Sequence, residues 1–332
     1  MGNCCHKNPV EEIYNMTHEL KSPEGDVLFS KINWKTCTKK SLIETHSPKY
    51  QNVSLLHTVP SDIVQNIKAP WMKMPPFIWK NEDESYSEYP FLGPYKMPNG
   101  SVYYGQFKEG LRHGKGRQIW PDGSYYEGYW KEDMTNGVGR LVHSNQEVYE
   151  GEWLNDRAEG KGKYYHSSGA LYEGEWKEDQ QHGYGEESWP DKVKYLGNYS
   201  QGAKHGYGTF YWGSNDIYKG NFDNNAIHGY GEYYWANGNI YKGEWKNNRI
   251  SGKGQFFWSN GNYFDGNFID DLKEGPGIFK WASGNELHAV WKVGKASHPA
   301  KLITPDGNQK DVNPEELKEQ IDDASSHESF MK

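Results

Sequence analysis

A five-residue pattern returns every 23 residues along most of this sequence. One copy reads Tyr-Glu-Gly-Glu-Trp over residues 172–176, and copies with the same spacing begin at Tyr149 and Tyr241. Self-similarity at a fixed period of this length is the mark of repeat architectures, so it constrains the fold before any other feature does. A motif that recurs in this way belongs to the array, and its function is expected to belong to the array as well.

Three positions of the pattern share one face of a predicted strand, because alternate strand residues point the same way. They are an aromatic residue, a glycine two residues later, and a second aromatic residue two further on. The intervening carboxylates, such as Glu173 and Glu175, are predicted to lie on the opposite, wetter face. The best-formed copies of this aromatic and glycine ladder are Tyr126, Gly128, Trp130, Tyr149, Gly151, Trp153, Tyr172, Gly174, Trp176, Tyr241, Gly243 and Trp245.

Each copy also contains two turn signals and a second glycine pair. A Gly, Asn or Asp, such as Asp156 or Asp179, stands three residues after the second aromatic, and these residue types tolerate a left-handed backbone. A Gly-x-Gly pair such as Gly183 and Gly185 follows, and then a second strand. Each unit is therefore predicted to be a β-hairpin. Glycine inside a strand marks a close approach, so the aromatic rings are expected to lie flat over the glycines.

The motif Tyr-x-Gly-x-Trp followed by Gly-x-Gly on this period resembles the MORN repeat (membrane occupation and recognition nexus). The resemblance implies an all-β fold, an elongated single-layer antiparallel β-sheet solenoid of stacked 23-residue hairpins. We assign residues 91–296 to about eight full copies with partial ends. The face that carries the stacked aromatics suits an extended peptide or a helix as partner.

Composition excludes several function classes. The net charge of -8 opposes nucleic-acid binding, which needs a basic footprint. The sequence contains no run of 18 apolar residues, so no membrane-spanning helix is predicted. The three cysteines have neither disulfide nor metal-site spacing, which favours a reducing, intracellular compartment. We predict no cofactor and no metal site.

Residues 1–90 are predicted to form an irregular N-terminal arm. Its first residues suggest myristoylation of Gly2 and palmitoylation of Cys4 and Cys5, although His6 departs from the usual acylation pattern. The alternative is an unmodified start. Further on, the segment 70–79 is rich in Pro, Trp and Met and cannot be a helix interior. It is a candidate for lying along another surface, either the repeats of this chain or a partner.

Residues 297–332 are predicted to form a short capping helix and an acidic tail. Asn313 can cap the helix, Pro314 suits its first turn, and Glu316 completes a capping box. A solenoid end needs covering, which favours a cap over the alternative of a partner-docking helix.

No catalytic constellation is predicted. His113, His182, His205 and His228 share one repeat position, so neighbours in the row lie about 10 Å apart and cannot meet on one ion. Carboxylates recur evenly and without a cleft, which does not indicate an acid–base pair.

The sequence therefore predicts a non-enzymatic scaffold for protein–protein interaction. In families that it resembles, such arrays occur in cilia, membrane junctions and cortical cytoskeleton. We expect a structural component of a cilium, axoneme or cortical cytoskeleton. Two alternatives are a lipid-anchored adaptor at the cytoplasmic face of a membrane and a regulatory or targeting subunit of a lipid or protein enzyme.

Overall fold

The computed structural model describes residues 77–79, 88–318 and 320–321, which fall into two compact units. The N-terminal unit holds residues 77–79, 88–188 and the turn 200–202. The C-terminal unit holds residues 189–199 and the described residues from 203 onward.

The N-terminal unit is built from nine described strands, each pairing antiparallel with the next along the chain. They are β1 (Phe91–Lys96), β2 (Val102–Lys108), β3 (Leu111–Ile119), β4 (Tyr125–Lys131), β5 (Met134–Val142), β6 (Val148–Leu154), β7 (Arg157–Tyr165), β8 (Leu171–Lys177) and β9 (Gln180–Ser188).

The C-terminal unit continues the same alternation of short and long strands, and β11 to β20 pair antiparallel in chain order. Its strands are β10 (Lys194–Ser200), β11 (Ala203–Tyr211), β12 (Ile217–Asp223), β13 (Ala226–Tyr234), β14 (Ile240–Lys246), β15 (Arg249–Phe257), β16 (Tyr263–Ile269), β17 (Leu272–Lys280), β18 (Glu286–Lys292), β19 (Lys295–Ile303) and β20 (Gln309–Asp311). The predicted all-β fold of 23-residue antiparallel hairpins is confirmed.

Two-residue turns close the hairpins at the predicted turn formers. Between β6 and β7, Asn155 and Asp156 have φ angles of 50° and 66°. Two consecutive left-handed residues make the turn whose twist matches that of the paired strands. This requirement explains why Asn, Asp and Gly recur at the second position of the turn.

The same turn residues also join neighbouring repeats. Asp179 Oδ1 accepts the backbone N–H of Ala158 at 2.7 Å, while the Asp179 N–H donates to the Ala158 carbonyl at 3.1 Å. Burial raises the pKa of the Asp179 carboxyl to about 6. Side-chain acceptors of the same kind are provided by Asp133, Asp156, Asn225, Asn248 and Asp271.

Strand pairing runs past residue 296, where we placed the end of the array. In the hairpin of β18 and β19, Ala289 lies opposite Ala300, where earlier repeats have facing glycines. Leu287 replaces the repeat tyrosine and is fully buried. The leucine side chain is shorter than tyrosine and leaves room for the Cβ atoms of Ala289 and Ala300. Loss of the glycines therefore does not end the sheet.

The predicted C-terminal helix begins with a 3₁₀ turn, Pro314–Leu317, and residues 318, 320 and 321 are helical. Asn313 caps it as predicted, but its side chain accepts the N–H of Glu315 at 3.3 Å and not that of Glu316. The buried Pro314 and Ile321 are the apolar residues of this segment that pack inward. The acidic tail from residue 322 lies outside the described residues.

Candidate functional site

The repeated aromatic residues form an edge-to-face ladder within each unit. Tyr126 meets Trp130 of its own repeat at 5.1 Å and Trp153 of the next repeat at 5.4 Å, with ring planes 82° and 88° apart. Edge-to-face contact places the positive edge of one ring against the negative face of another. Each tyrosine thus ties two repeats together, and the same bridging recurs at Tyr103, Tyr149, Tyr195, Tyr218 and Tyr241.

The ladder tyrosines also cover the glycine pairs. Tyr172 Oη donates to the Glu175 carbonyl at 2.9 Å, and its ring lies over Gly174 and Gly185, which face each other across β8 and β9. A Cβ atom built on Gly185 would lie 2.5 Å from ring Cε2 of Tyr172. The predicted contact of rings with glycines is confirmed, and it requires that no side chain stands at either glycine.

The second aromatic of each repeat bonds back to the preceding hairpin. Trp153 Nε1 donates to the Gly139 carbonyl at 3.1 Å, and Trp176 and Trp245 make the equivalent bond. The ladder residues are buried: Tyr126, Trp130, Tyr149, Trp153, Tyr172, Trp176, Tyr241 and Trp245. Gly128, Gly151 and Gly243 lie beneath the tyrosine rings as Gly174 does. The ladder is therefore the core of the sheet and not an open ligand groove.

The opposite face of the N-terminal unit is wet at Glu173 and Glu175, as the alternation predicts, but not around Arg140. Arg140 is 1% exposed and pairs with Glu150 at 2.7 Å and Glu127 at 3.6 Å. Tyr125 Oη donates to Glu127 at 3.1 Å. An alternating row of charges can be buried here because each charge faces an opposite one on the next strand.

Part of the N-terminal arm lies on this face. The Phe77 ring is 5.7 Å from the guanidinium carbon of Arg140, and the Trp79 ring packs edge-on against Tyr129 at 5.6 Å. Phe77 is buried, whereas Ile78 is 77% exposed. The described end of segment 70–79 therefore lies along the repeats of its own chain, with alternate side chains turned inward.

On the same face, apolar side chains form a row at one repeat position on β2 to β6 and again on β11 to β16. In the N-terminal unit we call it the buried row, which consists of Val102, Ile119, Tyr125, Val142 and Val148. In the C-terminal unit the matching residues of β11 to β16 are all partly exposed, and we call them the exposed row, which consists of Tyr211, Ile217, Tyr234, Ile240, Phe257 and Tyr263. Tyr165 and Leu171, at the same repeat position on β7 and β8, are also partly exposed. Beside it, Tyr207 and Tyr230 are 58% and 57% exposed.

Two residues of the histidine row make local contacts with neighbouring side chains. His113 packs edge-on against Tyr89 at 5.1 Å, and His205 Nδ1 lies 3.3 Å from Asp223. Among the residues that the structure describes, no group of three or more His, Cys, Asp or Glu side chains could hold a metal ion.

Ser168, His166 and Glu147 lie in a hydrogen-bonded line that superficially matches a hydrolase relay. Ser168 Oγ is 2.9 Å from His166 Nδ1, and His166 Nε2 is 2.8 Å from Glu147 Oε1. The same Nδ1 accepts the backbone N–H of Ser168, as Asp122 accepts that of Ser124 in an earlier turn. The three groups therefore close a repeat turn.

Glu147 is held charged within this turn. Burial alone would raise the pKa of Glu147, but hydrogen bonds from His166, Tyr164 and Asn145 outweigh burial and lower it to about 2. A permanently charged, fully bonded carboxylate is suited to fixing a turn and not to exchanging a proton near neutral pH.

Lysine side chains enter the aromatic core at one repeat position. Lys273 is 4% exposed, and its Nζ lies 5.0 Å from the Trp258 ring and 5.1 Å from the Trp291 ring. Lys204 makes similar contacts with Trp189 and Tyr195. Cation–π attraction stabilises an ammonium group in such a cage.

The acylation candidates Gly2, Cys4 and Cys5 lie outside the described residues. Within the described part of the chain, no helix has the length and apolar character needed to cross a membrane.

A comparison with curated proteins gives no match. Among solved structures, the TCP10 domain of CPAP from Danio rerio, in complex with a STIL peptide, is 11% identical with a TM-score of 0.34, over 66% of this chain and 97% of that one. Virginiamycin B lyase from Staphylococcus aureus is 15% identical with a TM-score of 0.13, over 71% of this chain and 72% of that one. At such TM-scores we draw no conclusion from either likeness.

The family model of the MORN repeat matches eight consecutive segments. They are residues 103–125, 126–148, 149–170, 172–193, 195–217, 218–240, 241–263 and 264–286. The matched segments cover more than half of the sequence and share the hairpin, ladder and turn geometry described above. The chain belongs to the MORN repeat family.

Proposed function

We propose that this protein is a non-catalytic scaffold that binds protein partners on the exposed face of its C-terminal unit. The observation that carries the proposal is the exposure of Tyr207 and Tyr230, 58% and 57%, beside the exposed row. Contiguous apolar patches on a protein surface mark interaction sites. Tyrosine suits such sites because it offers a large apolar body and a polar tip.

The residues of the repeat motif support a scaffold because the fold already uses them. Tyr172 Oη and Trp153 Nε1 bond to backbone carbonyls, and the Asp179 carboxylate clamps two repeats. A hollow on the N-terminal unit is lined by charged side chains, including Glu152, Glu159 and Lys161. A scaffold needs only a stiff surface, which the interlocked ladder provides.

We further propose that the scaffold serves a cilium, axoneme or cortical cytoskeleton. The support is the occurrence of similar arrays in such structures. Attachment to the cytoplasmic face of a membrane through Gly2, Cys4 and Cys5 is the second proposal, supported by the acylation-like start of the sequence. Detergent extraction separates them, since a membrane adaptor leaves with detergent and a cytoskeletal component stays.

Affinity purification of the native protein after chemical crosslinking tests the scaffold proposal. We expect stoichiometric protein partners joined through lysines of the exposed face, such as Lys219 and Lys242. Crosslinks confined to the chain itself, with no partner retained, would contradict it. A copurifying enzyme whose activity depends on this protein would instead support a regulatory subunit.

A further inference from the structure

The exposed row and the buried row occupy the same repeat position and differ in how far their side chains are buried. Tyr234 lies opposite Ile217 on one side and Ile240 on the other. Tyr125 lies between Ile119 and Val142 in the matching register. The buried-row residues are 7% exposed or less, whereas every residue of the exposed row keeps part of its surface open.

The chain itself shows what kind of segment lies on this face. Phe77 and Trp79 contact Arg140 and Tyr129, which share strands and face with the buried row. These two aromatics follow Pro75-Pro76 directly in the sequence. Because Phe77 turns inward while Ile78 is 77% exposed, the segment is extended at this point.

The spacing of the exposed row fits one extended conformation well. Its aromatic residues Tyr211, Tyr234 and Phe257 stand on every second strand, which corresponds to a spacing of about 9.6 Å. A polyproline II helix presents the same side every three residues, or about 9.3 Å. An α-helix repeats its face at about 5.4 Å per turn and does not match this spacing.

Polar groups border the row where a bound backbone would need them. Lys219 and Lys242 lie on the adjacent row of the same face, and Lys242 Nζ is 3.4 Å from Glu232. The Lys219 Nζ lies 5.6 Å from the Tyr234 ring centroid. A polyproline II segment has no internal hydrogen bonds, so its carbonyls can accept from such ammonium groups.

We propose that the exposed row binds an extended, proline-containing apolar segment of a partner protein in the polyproline II conformation. The inference rests on the scaffold function proposed above and names the class of partner. Proline residues of the partner stack on Tyr211, Tyr234 and Phe257, and the row becomes buried as its N-terminal counterpart already is. Aromatic-lined surfaces recognise such segments because the ligand is stiff before binding.

The test uses the full-length chain and a fluorescein-labelled peptide with the sequence of residues 68–80. A matched peptide has glycine in place of its three prolines. Fluorescence anisotropy is expected to show binding of the first peptide and at least about tenfold weaker binding of the second. Tyr234→Ser and Phe257→Ser should each weaken binding by roughly tenfold. Ile269→Ser is the control, because Ile269 is 57% exposed in the same unit but lies off the row.

Tyr234→Arg is a second variant that keeps a long aliphatic stem against the sheet, and circular dichroism checks that each variant folds. Equal binding of both peptides, or no binding of either, would overturn the proposal. The proposal would also be overturned if sedimentation showed a dimer, or if the protein floated with anionic vesicles, and Tyr234→Ser abolished that association. The row would then bind a second copy of the chain or a membrane. If the peptide does not bind while native crosslinks to protein partners persist, the scaffold function is supported and only this inference is wrong.

Discussion

The ring of Tyr172 rests on Gly185 so closely that a Cβ atom there would lie 2.5 Å from ring Cε2. Tyr172 is 1% exposed, and its hydroxyl is fixed by a bond to the Glu175 carbonyl. The ring therefore cannot move aside without breaking that bond and its contact with Trp176 at 5.3 Å.

Gly185→Val is expected to destabilise the protein by about 2–4 kcal/mol, because a branched side chain displaces the buried ring. The free energy of unfolding in urea measures the effect. Gly110→Asn is the control, since no atom lies within 4 Å of its Cβ position and Asn occupies the equivalent turn position at Asn225. Equal losses in both variants would contradict the contact.

Asp179→Asn is expected to stabilise the protein at neutral pH. The folded-state pKa of Asp179, about 6, lies above the ordinary 3.8, so the fold favours the protonated carboxyl. This contribution to stability is complete below pH 3.8 and is lost as the pH rises through 6. Asparagine keeps the acceptor without the charge, as Asn225 and Asn248 show.

Urea unfolding at two pH values checks this expectation. The Asn variant should gain about 1 kcal/mol at pH 7, after allowance for solvent screening, and about nothing at pH 4. A gain that is the same at both values would show that the charge of Asp179 is not the cause.

Arg140→Met should cost about 3 kcal/mol, because it leaves the buried Glu127 carboxylate without one of its positive neighbours. Lys163→Met is the control on the same row of charges. The Lys163–Glu173 pair, at 2.9 Å, is exposed, so its loss should cost less than about 1 kcal/mol. Chemical denaturation of both variants measures the difference, and similar costs would argue against burial of the N-terminal charge row.

Lys273 occupies the repeat position at which Ile227 and Ile250 are buried. Lys273→Ile should therefore stay within about 1 kcal/mol of the parent, since an aliphatic side chain fits the cage. Lys273→Glu should cost about 3 kcal/mol or more, because a carboxylate would be buried against ring faces. Thermal unfolding followed by tryptophan fluorescence compares the two. A larger loss for Ile than for Glu would contradict the cation–π cage.

The repeat period predicts the fold because every repeat has the same pattern, so the structure inferred for one hairpin applies to the others. The phase of Tyr172, Gly174 and Trp176 correctly assigns strand faces, turns and ring-over-glycine contacts throughout the matched repeats. The period cannot predict contacts made by residues outside it. Burial of Arg140 accompanies contact with Phe77, which lies far away in the sequence and outside the repeats.

The second role of the turn residues is also invisible in the sequence. Asp179 satisfies the rule for a left-handed turn whether or not its carboxylate reaches Ala158 in the preceding repeat. The last hairpin shows a related limit of the repeat pattern. The glycine rule fails at Ala289 and Ala300 because Leu287 has replaced the ring that demanded glycine.

Photo-crosslinking from the exposed face tests the scaffold account most directly. A photoreactive phenylalanine analogue replaces Tyr230 in cells, and a second line carries it at Val293, a turn residue that is 69% exposed. We expect position 230 to capture a discrete protein partner that position 293 does not. Crosslinking at position 230 to lipid alone, or the same diffuse products from both positions, would contradict a protein-binding scaffold.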